Sequence, residues 1–194
     1  MEKKFNLNGN DVSFKNRFIY DIKTLIVLIN SLKGVGKKIV LTSGSFDLLH
    51  IGHAQYLEKA KEKGDVLVVG IDDDEKVRNR KGKGRPVVPE DERFKMLAHL
   101  RSVDIIVPKK VNSQKFFLLK TIKPDILIIS ESTNHPKEKI DEMKKYCSEV
   151  IMLPPQSTTS TSAKVRLLFT QGAQKFAEKI KKAADELLED LTKK

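Results

Sequence analysis

Five short runs of apolar, mostly β-branched residues leave this chain few ways to fold: Ile39 to Thr42, Val66 to Ile71, Ile105 to Val107, Ile126 to Ile129 and Val150 to Leu153. None alternates with polar residues, the pattern of a strand buried on both faces. Neighbouring runs are separated by far more chain than a hairpin uses, and each gap holds a helical pattern: His53 to Lys63, Glu90 to Leu100, Ser113 to Thr121 and Lys137 to Tyr146. Strands alternating with helices predict an α/β fold, a Rossmann-like open parallel five-stranded sheet with helices on both faces and right-handed crossovers.

Two amphipathic segments flank this core. Phe18 to Lys33 places Ile19, Ile22, Leu25, Ile26 and Ile29 on one side, with Gly34 and Gly36 closing the helix; Phe176, Ile180, Ala184, Leu187, Leu188 and Leu191 mark another near the end. The expected organisation is an N-terminal extension over 1–37, a main domain over 38–169 and a C-terminal helix over 170–194. Packing of these helices on the domain's own core competes with a dimer contact. The longest apolar run, near Leu25 to Ile29, is far below the ~20 residues of a membrane span, and no leader pattern opens the chain, so a cytoplasmic protein is expected. The single cysteine, Cys147, excludes an internal disulfide or a multi-cysteine zinc module.

The net charge of +11 is unevenly spread. Residues 41–80 hold six Lys or Arg against eight acids, residues 81–120 ten against four, and the first forty residues eight against three. The densest stretch, Lys76, Arg78, Arg80, Lys81, Lys83 and Arg85, has no acid between its cations and reads as a loop after the second strand. A nucleic-acid backbone, an anionic membrane and the phosphates of a small nucleotide would each suit it. With Trp absent and aromatics at 6%, platforms for stacking single-stranded bases are sparse.

The stretch from Thr42 to His53 (TSGSFDLLHIGH) follows the first strand and opens a helix. In an open α/β sheet, the carboxyl end of that strand faces the ligand crevice, and backbone amides at the next helix start attract anions. His50 and His53, three residues apart, can both face one phosphate, and Gly52 between them allows a ligand close to the backbone. Imidazole N–H groups that donate to phosphate oxygens as negative charge grows stabilise chiefly the transition state. Neither a Walker loop nor a dinucleotide fingerprint follows this strand. His99 and His135 read as ordinary partly buried side chains.

The Gly44–His53 segment resembles the HxGH signature of the cytidylyltransferase-like nucleotidyltransferases. Over Lys38 to Pro108, the succession of that segment, Gly64-Asp65, Lys81-Gly82, Arg85-Pro86, Arg93 and Arg101-Ser102-Val103-Asp104 is similar to the heptose-1-phosphate adenylyltransferase domain of lipopolysaccharide-core synthesis. Glycerol-3-phosphate cytidylyltransferases and FAD synthetases share most of it.

The resemblance implies an enzyme that transfers a nucleoside monophosphate directly to a substrate phosphate and releases pyrophosphate. It gives His50, His53 and Lys81 catalytic roles, Lys81 closing over the nucleotide as part of a lid freed by Gly82 and Gly84. Gly44, Ser45, Phe46, Gly52, Arg85 and the hydroxyl triplet Ser160, Thr161, Ser162 fall where relatives bind the nucleotide. Asp47, Arg93, Arg101 and Lys115 fall where they face the second substrate, with loop shaping as the other role for Asp47. Magnesium (Mg2+) arrives with the triphosphate and needs no protein cage. The partners implied are ATP or CTP, a small phosphorylated substrate and a second copy of the chain in a homodimer, with no specific nucleic acid. A nucleotide- or nucleic-acid-binding module is the non-enzymatic alternative. Where relatives carry Gly-Gly-Asp or Gly-Asp-Asp after the fourth strand this chain has Ser130-Glu131-Ser132, and Pro154-Pro155 stands ahead of Gln156 where cytidylyltransferases carry an arginine nearby. Both departures favour ATP over CTP, or else an unusual substrate.

Overall fold

The computed structural model describes residues 14–157 and 161–192. They form two compact units that divide between Thr158 and Thr159. The first unit is built on five parallel strands, β1 (Ile39–Gly44), β2 (Val66–Asp72), β3 (Ile105–Lys109), β4 (Ile126–Ser130) and β5 (Glu149–Leu153), in the order β3-β2-β1-β4-β5. The chain moves outward from β1 through β2 to β3 and then returns to pair β4 on the other side of β1. That reversal opens a crevice at the carboxyl end of β1, the usual ligand position in such sheets.

Period-two alternation explains why the strands read as unbroken apolar runs. Ile39, Leu41, Val66, Val68, Ile105, Val107, Leu127 and Ile129 point to one face and enter one core cluster. Val40, Leu67, Val69, Ile71, Ile106, Ile126 and Ile128 point to the other. The first cluster is covered by α1 (Ile22–Gly34), α5 (Phe117–Ile122) and α6 (Lys137–Met143), the second by α2 (Ile51–Lys61) and α4 (Glu90–Ala98). Both faces are therefore shielded, as a parallel sheet requires.

Helix α1 starts later than its apolar spacing predicts. Asp21 caps it by accepting from the Thr24 amide at 2.8 Å, while Phe18 and Ile19 stay extended alongside β3, the Ile19 amide donating to the Ile106 carbonyl at 3.0 Å. Leu25, Ile29 and Leu32 pack into the first core. Arg17 ties the segment down by donating to the carbonyls of Ala98, Leu100 and Val103 at 2.8–3.0 Å.

The cationic stretch expected to be a loop is mostly helical: α3 spans Asp74–Lys81. Asp73 caps it, accepting from the Lys76 amide at 2.8 Å, with acids Asp74 and Glu75 in the first turn and Arg78, Arg80 and Lys81 in the last, matching the helix dipole. Only Val77 is buried, so no apolar stripe marks the helix in the sequence. Helix α5 also starts later than expected, at Phe117, because Phe116 turns through positive φ just before it.

The second unit is α7, Thr161–Thr192, one unbroken helix that contains the amphipathic stretch expected from Phe176 onward. Among the described residues, no helix is long and apolar enough to cross a membrane.

Candidate active site

The carboxyl end of β1 is shaped by a tight turn. Thr42 is fully buried and donates to the Ile128 carbonyl at 3.1 Å, fixing β1 against β4, and its hydroxyl meets the Tyr56 hydroxyl at 2.8 Å. Burial pushes the Tyr56 phenol up to about 12, so it remains protonated at any physiological pH. Beyond Gly44 the chain passes through left-handed backbone at Phe46 (φ 47°) and Leu48 (φ 49°), neither a glycine, a strain that concentrates where surrounding structure enforces it. The Phe46 ring folds back over Gly44, lying 3.1–3.4 Å from where a Cβ would be.

Two buried charged residues enforce this turn. The Asp47 carboxylate, inaccessible to solvent, accepts from the amides of Val87 and Val88 at 3.0–3.1 Å and lies 2.7 Å from Arg85 Nη2. Arg93, 1% exposed, donates through Nη1 to the carbonyls of Ser45 and Asp72, through Nε to that of Val88, and through Nη2 to Asp74 Oδ1 at 2.7 Å. One guanidinium thus joins the ends of β1 and β2, the start of α3 and the 85–88 loop. The substrate-facing readings of Asp47 and Arg93 are corrected accordingly: both side chains are turned inward and hold backbone, because a buried charge must be paired with internal partners. Asp47 keeps its loop-shaping role, and Arg85 is drawn to that carboxylate rather than outward.

The histidines sit at the start of α2. His50 is the N-cap residue, in extended backbone, and its Nδ1 accepts from the Gly52 amide at 3.1 Å. His53 returns the favour of a capping box, its Nδ1 facing the His50 amide at 3.4 Å. An Nδ1 that accepts a backbone proton puts the ring's own proton on Nε2, so both neutral rings take the same tautomer and present Nε2–H as the donor. The ring centroids lie 4.0 Å apart with the planes tilted by 32°, and His53 meets the Phe46 ring edge-on at 5.6 Å. Gly52 is buried; a Cβ there would collide with the Ser157 hydroxyl and press to 3.0–3.1 Å on the His50 ring. The room at Gly52 is therefore taken by this chain's own side chains, not kept open for a ligand as expected.

Lys81, the last residue of α3, reaches the same edge: its Nζ donates to Ser45 Oγ at 2.9 Å. Partial burial, then the charges of Arg80 and Arg85, hold its ammonium below the ordinary lysine range. Beside it lies a group the sequence reading missed. Asp72, at the end of β2 and 1% exposed, stands 2.9 Å from Arg80 Nη2 and 3.3 Å from Lys109 Nζ at the end of β3. Burial drives the Lys109 ammonium down while Asp72 opposes the shift. The signal available was positional: both residues end strands whose carboxyl ends share the crevice edge. At the end of β4, the hydroxyls of Ser130 and Ser132 lie 2.7 Å apart and the Glu131 amide donates to the Leu153 carbonyl.

Two expected substrate residues lie elsewhere. Arg101 is exposed in the turn that enters β3, at the amino edge of the sheet, because it follows a helix and precedes a strand. Lys115 pairs with Glu142 of α6 at 2.5 Å and lies over the Phe116 ring, among helices that cover the opposite face from α2. Ser160 lies outside the described residues; Thr161 and Ser162 form the start of α7, and their side chains also lie outside the described residues.

A model of the cytidylyltransferase-like family matches residues 41–166, from within β1 to the first turns of α7. The chain belongs to the cytidylyltransferase-like family. Among curated proteins, this cytidylyltransferase-like chain is similar to the bifunctional protein HldE of Desulfatibacillum aliphaticivorans, 34% identical over 164 residues that make up 83% of this chain and 33% of that one. It is similar also to HldE of Helicobacter hepaticus, 41% identical over 72% of this chain and 28% of the relative. The chain thus spans about a third of the length of the curated relatives it matches. Among solved structures, the lipopolysaccharide core biosynthesis protein from Thermoplasma volcanium GSS1 superimposes with a TM-score of 0.55 at 26% identity, over 61% of this chain and 97% of that one. The pantoate-beta-alanine ligase of Francisella tularensis shares the fold, with a TM-score of 0.53 at 19% identity over 75% of this chain and 68% of that one.

Proposed function

We propose that this cytidylyltransferase-like chain is an adenylyltransferase that moves AMP from ATP to a sugar phosphate of the heptose 1-phosphate type and releases pyrophosphate. The observation that carries the reading is the placement of His50 and His53: adjacent rings whose Nδ1 atoms face backbone amides at a helix start beside the crevice, an arrangement in which each ring donates through Nε2–H. A substrate phosphate oxygen attacks the α-phosphorus in line. The new P–O bond forms as the bond to the bridging oxygen breaks, and pyrophosphate carries away the bonding electron pair. Negative charge gathers on the α-phosphate and bridging oxygens, where preorganised donors act most strongly. No side chain need be covalently modified; positioning and charge stabilisation suffice.

Lys81, held at Ser45, supplies a cation beside the entering triphosphate, and the α2 N-terminus adds its partial positive charge. Magnesium would come with the triphosphate as its counter-ion and would supply charge neutralisation there, with no protein cage required. The Asp47 carboxylate, fully engaged by Arg85 and two amides, is not offered to it. A triphosphate substrate gives the activity a cytoplasmic setting.

Incubation with ATP or CTP, magnesium, pyrophosphatase and a panel of sugar 1-phosphates and phospho-alcohols tests the reading. Phosphate release is expected with ATP and a heptose 1-phosphate. Release only with CTP and a phospho-alcohol would replace the adenylyl reading by a cytidylyl one. Turnover undiminished in His53→Ala would sink the assignment of the pair.

A further inference from the structure

The positions that the family likeness gives to the second substrate stand elsewhere or face inward: Asp47 and Arg93 hold backbone, Arg101 lies at the amino edge and Lys115 pairs with Glu142. At the crevice edge itself, cations gather on Asp72. Both oxygens of that carboxylate are closed to solvent, one 2.9 Å from Arg80 Nη2 and the other 3.3 Å from Lys109 Nζ. The cations are not closed, the Arg80 side chain being 51% exposed and that of Lys109 25%. A ligand reaching this edge therefore meets two positive groups with their carboxylate behind them.

Gly70 makes the arrangement possible. Lys109 folds back across β2 instead of running out along its own strand: its Cδ and Ser43 Oγ each stand 2.8 Å from where a Gly70 Cβ would be. Lys109 is thereby carried toward the end of β1, where Ser43 is exposed and Ser45 meets Lys81. Arg80 arrives from the last turn of α3, next to Lys81, whose ammonium feels Asp72 as well as Asp47. The local charges do not cancel. Burial weighs most against the Lys109 ammonium, Asp72 opposes it, and Lys76 and Arg80 add to it. The next acid, Asp73, is committed to the amides of Lys76 and Val111. An ammonium has three protons and a guanidinium five, so both cations keep donors beyond those that face Asp72.

We propose that Arg80 and Lys109 bind the phosphate of the acceptor, with Asp72 as the positioning residue that sets both cations from beneath; that the anion belongs to a sugar phosphate rests on the adenylyl-transfer reading. Lys81, at Ser45, is left to the triphosphate, and the acceptor enters from the side of β2 and β3. Two phosphates must approach each other for the attack, and cations fixed at that edge offset their repulsion. An acceptor without its phosphate has no charge to set against them, so the pair selects phosphorylated acceptors over free ones.

Steady-state kinetics of the full chain with ATP and heptose 1-phosphate test this. Lys109→Met and Arg80→Met should each raise KM for the acceptor about tenfold or more, the scale of a lost charge-assisted hydrogen bond, with KM for ATP within about threefold of wild type. Lys109→Arg should recover part of the loss. Asp72→Asn keeps the shape and frees the cations, so it should raise the same KM while kcat at saturating acceptor stays within about threefold. Thermal melts identify a variant that fails to fold, and Lys109→Gln then replaces Lys109→Met. Inorganic phosphate is a second probe, independent of turnover: in calorimetry with the nucleotide site filled by a non-hydrolysable triphosphate, Lys109→Met should bind it about tenfold more weakly than wild type. If wild type turns over no acceptor, the adenylyl-transfer reading fails, and that phosphate difference alone decides for or against the pair. An acceptor KM unmoved in both methionine variants, a rise confined to ATP, or phosphate binding indifferent to Lys109→Met would overturn the proposal.

Discussion

Lys81 Nζ donates to Ser45 Oγ at 2.9 Å, bringing the end of α3 onto the carboxyl end of β1. Burial and the neighbouring Arg80 and Arg85 hold this ammonium below the ordinary lysine range, so it loses its proton at lower pH than a solvated lysine. If Lys81 must be charged to meet the triphosphate, the alkaline limb of kcat/KM falls below the usual lysine range. Lys81→Arg should move that limb to higher pH while keeping part of the activity, and Lys81→Met should cost about 10²-fold at neutral pH. A pH profile of the three proteins checks this; a limb unmoved by Lys81→Arg would assign it to another group.

His50 does two separable jobs, capping α2 through Nδ1 and presenting Nε2–H. Asparagine is a good N-cap but lacks the second donor. His50→Asn should therefore melt close to wild type while turnover falls about 10²-fold or more, and His50→Ala should lose the same activity plus about 1 kcal/mol of stability. Thermal melts and steady-state assays on both variants separate the roles.

Arg93→Met removes a buried cation and leaves the Ser45, Asp72 and Val88 carbonyls without their donor. About 3–5 kcal/mol of stability should be lost, the scale for breaking a buried charged network. Urea unfolding measures it. A loss under about 1 kcal/mol, the range of ordinary surface changes, would mean that the guanidinium is not the brace described.

Arg101→Ala, at the opposite edge of the sheet, should leave the KM for both substrates within about twofold and stability within about 0.5 kcal/mol. A KM raised tenfold or more for the second substrate would return Arg101 to the site.

The sheet was legible because strands buried on both faces leave continuous apolar runs, and the return of the chain to β4 places the crevice at β1. Helix α3 was not, since a helix with Val77 alone buried leaves no periodic trace and its cap, Asp73, resembles any loop aspartate. The histidines were legible as a pair at a helix start, but their shared tautomer depends on backbone amides that no side-chain pattern records. Arg93 misled for a related reason: its acceptors are mostly carbonyls, so the sequence displays the cation and hides its partners. Arg101 could have been placed from topology, because a residue between a helix and the following strand must lie at the amino edge. The family likeness, which matches residues without regard to edge, pointed the other way.

The clamp that Asp47 sets on residues 85–88 also fixes how much of the crevice rim can swing. On one side the chain is helical up to Lys81, and on the other Arg85 is already anchored. Three residues remain as a hinge, and two of them, Gly82 (φ 92°) and Gly84 (φ 84°), occupy backbone that suits glycine. Any flap at this rim therefore has a tip one side chain wide, and that side chain is Lys83.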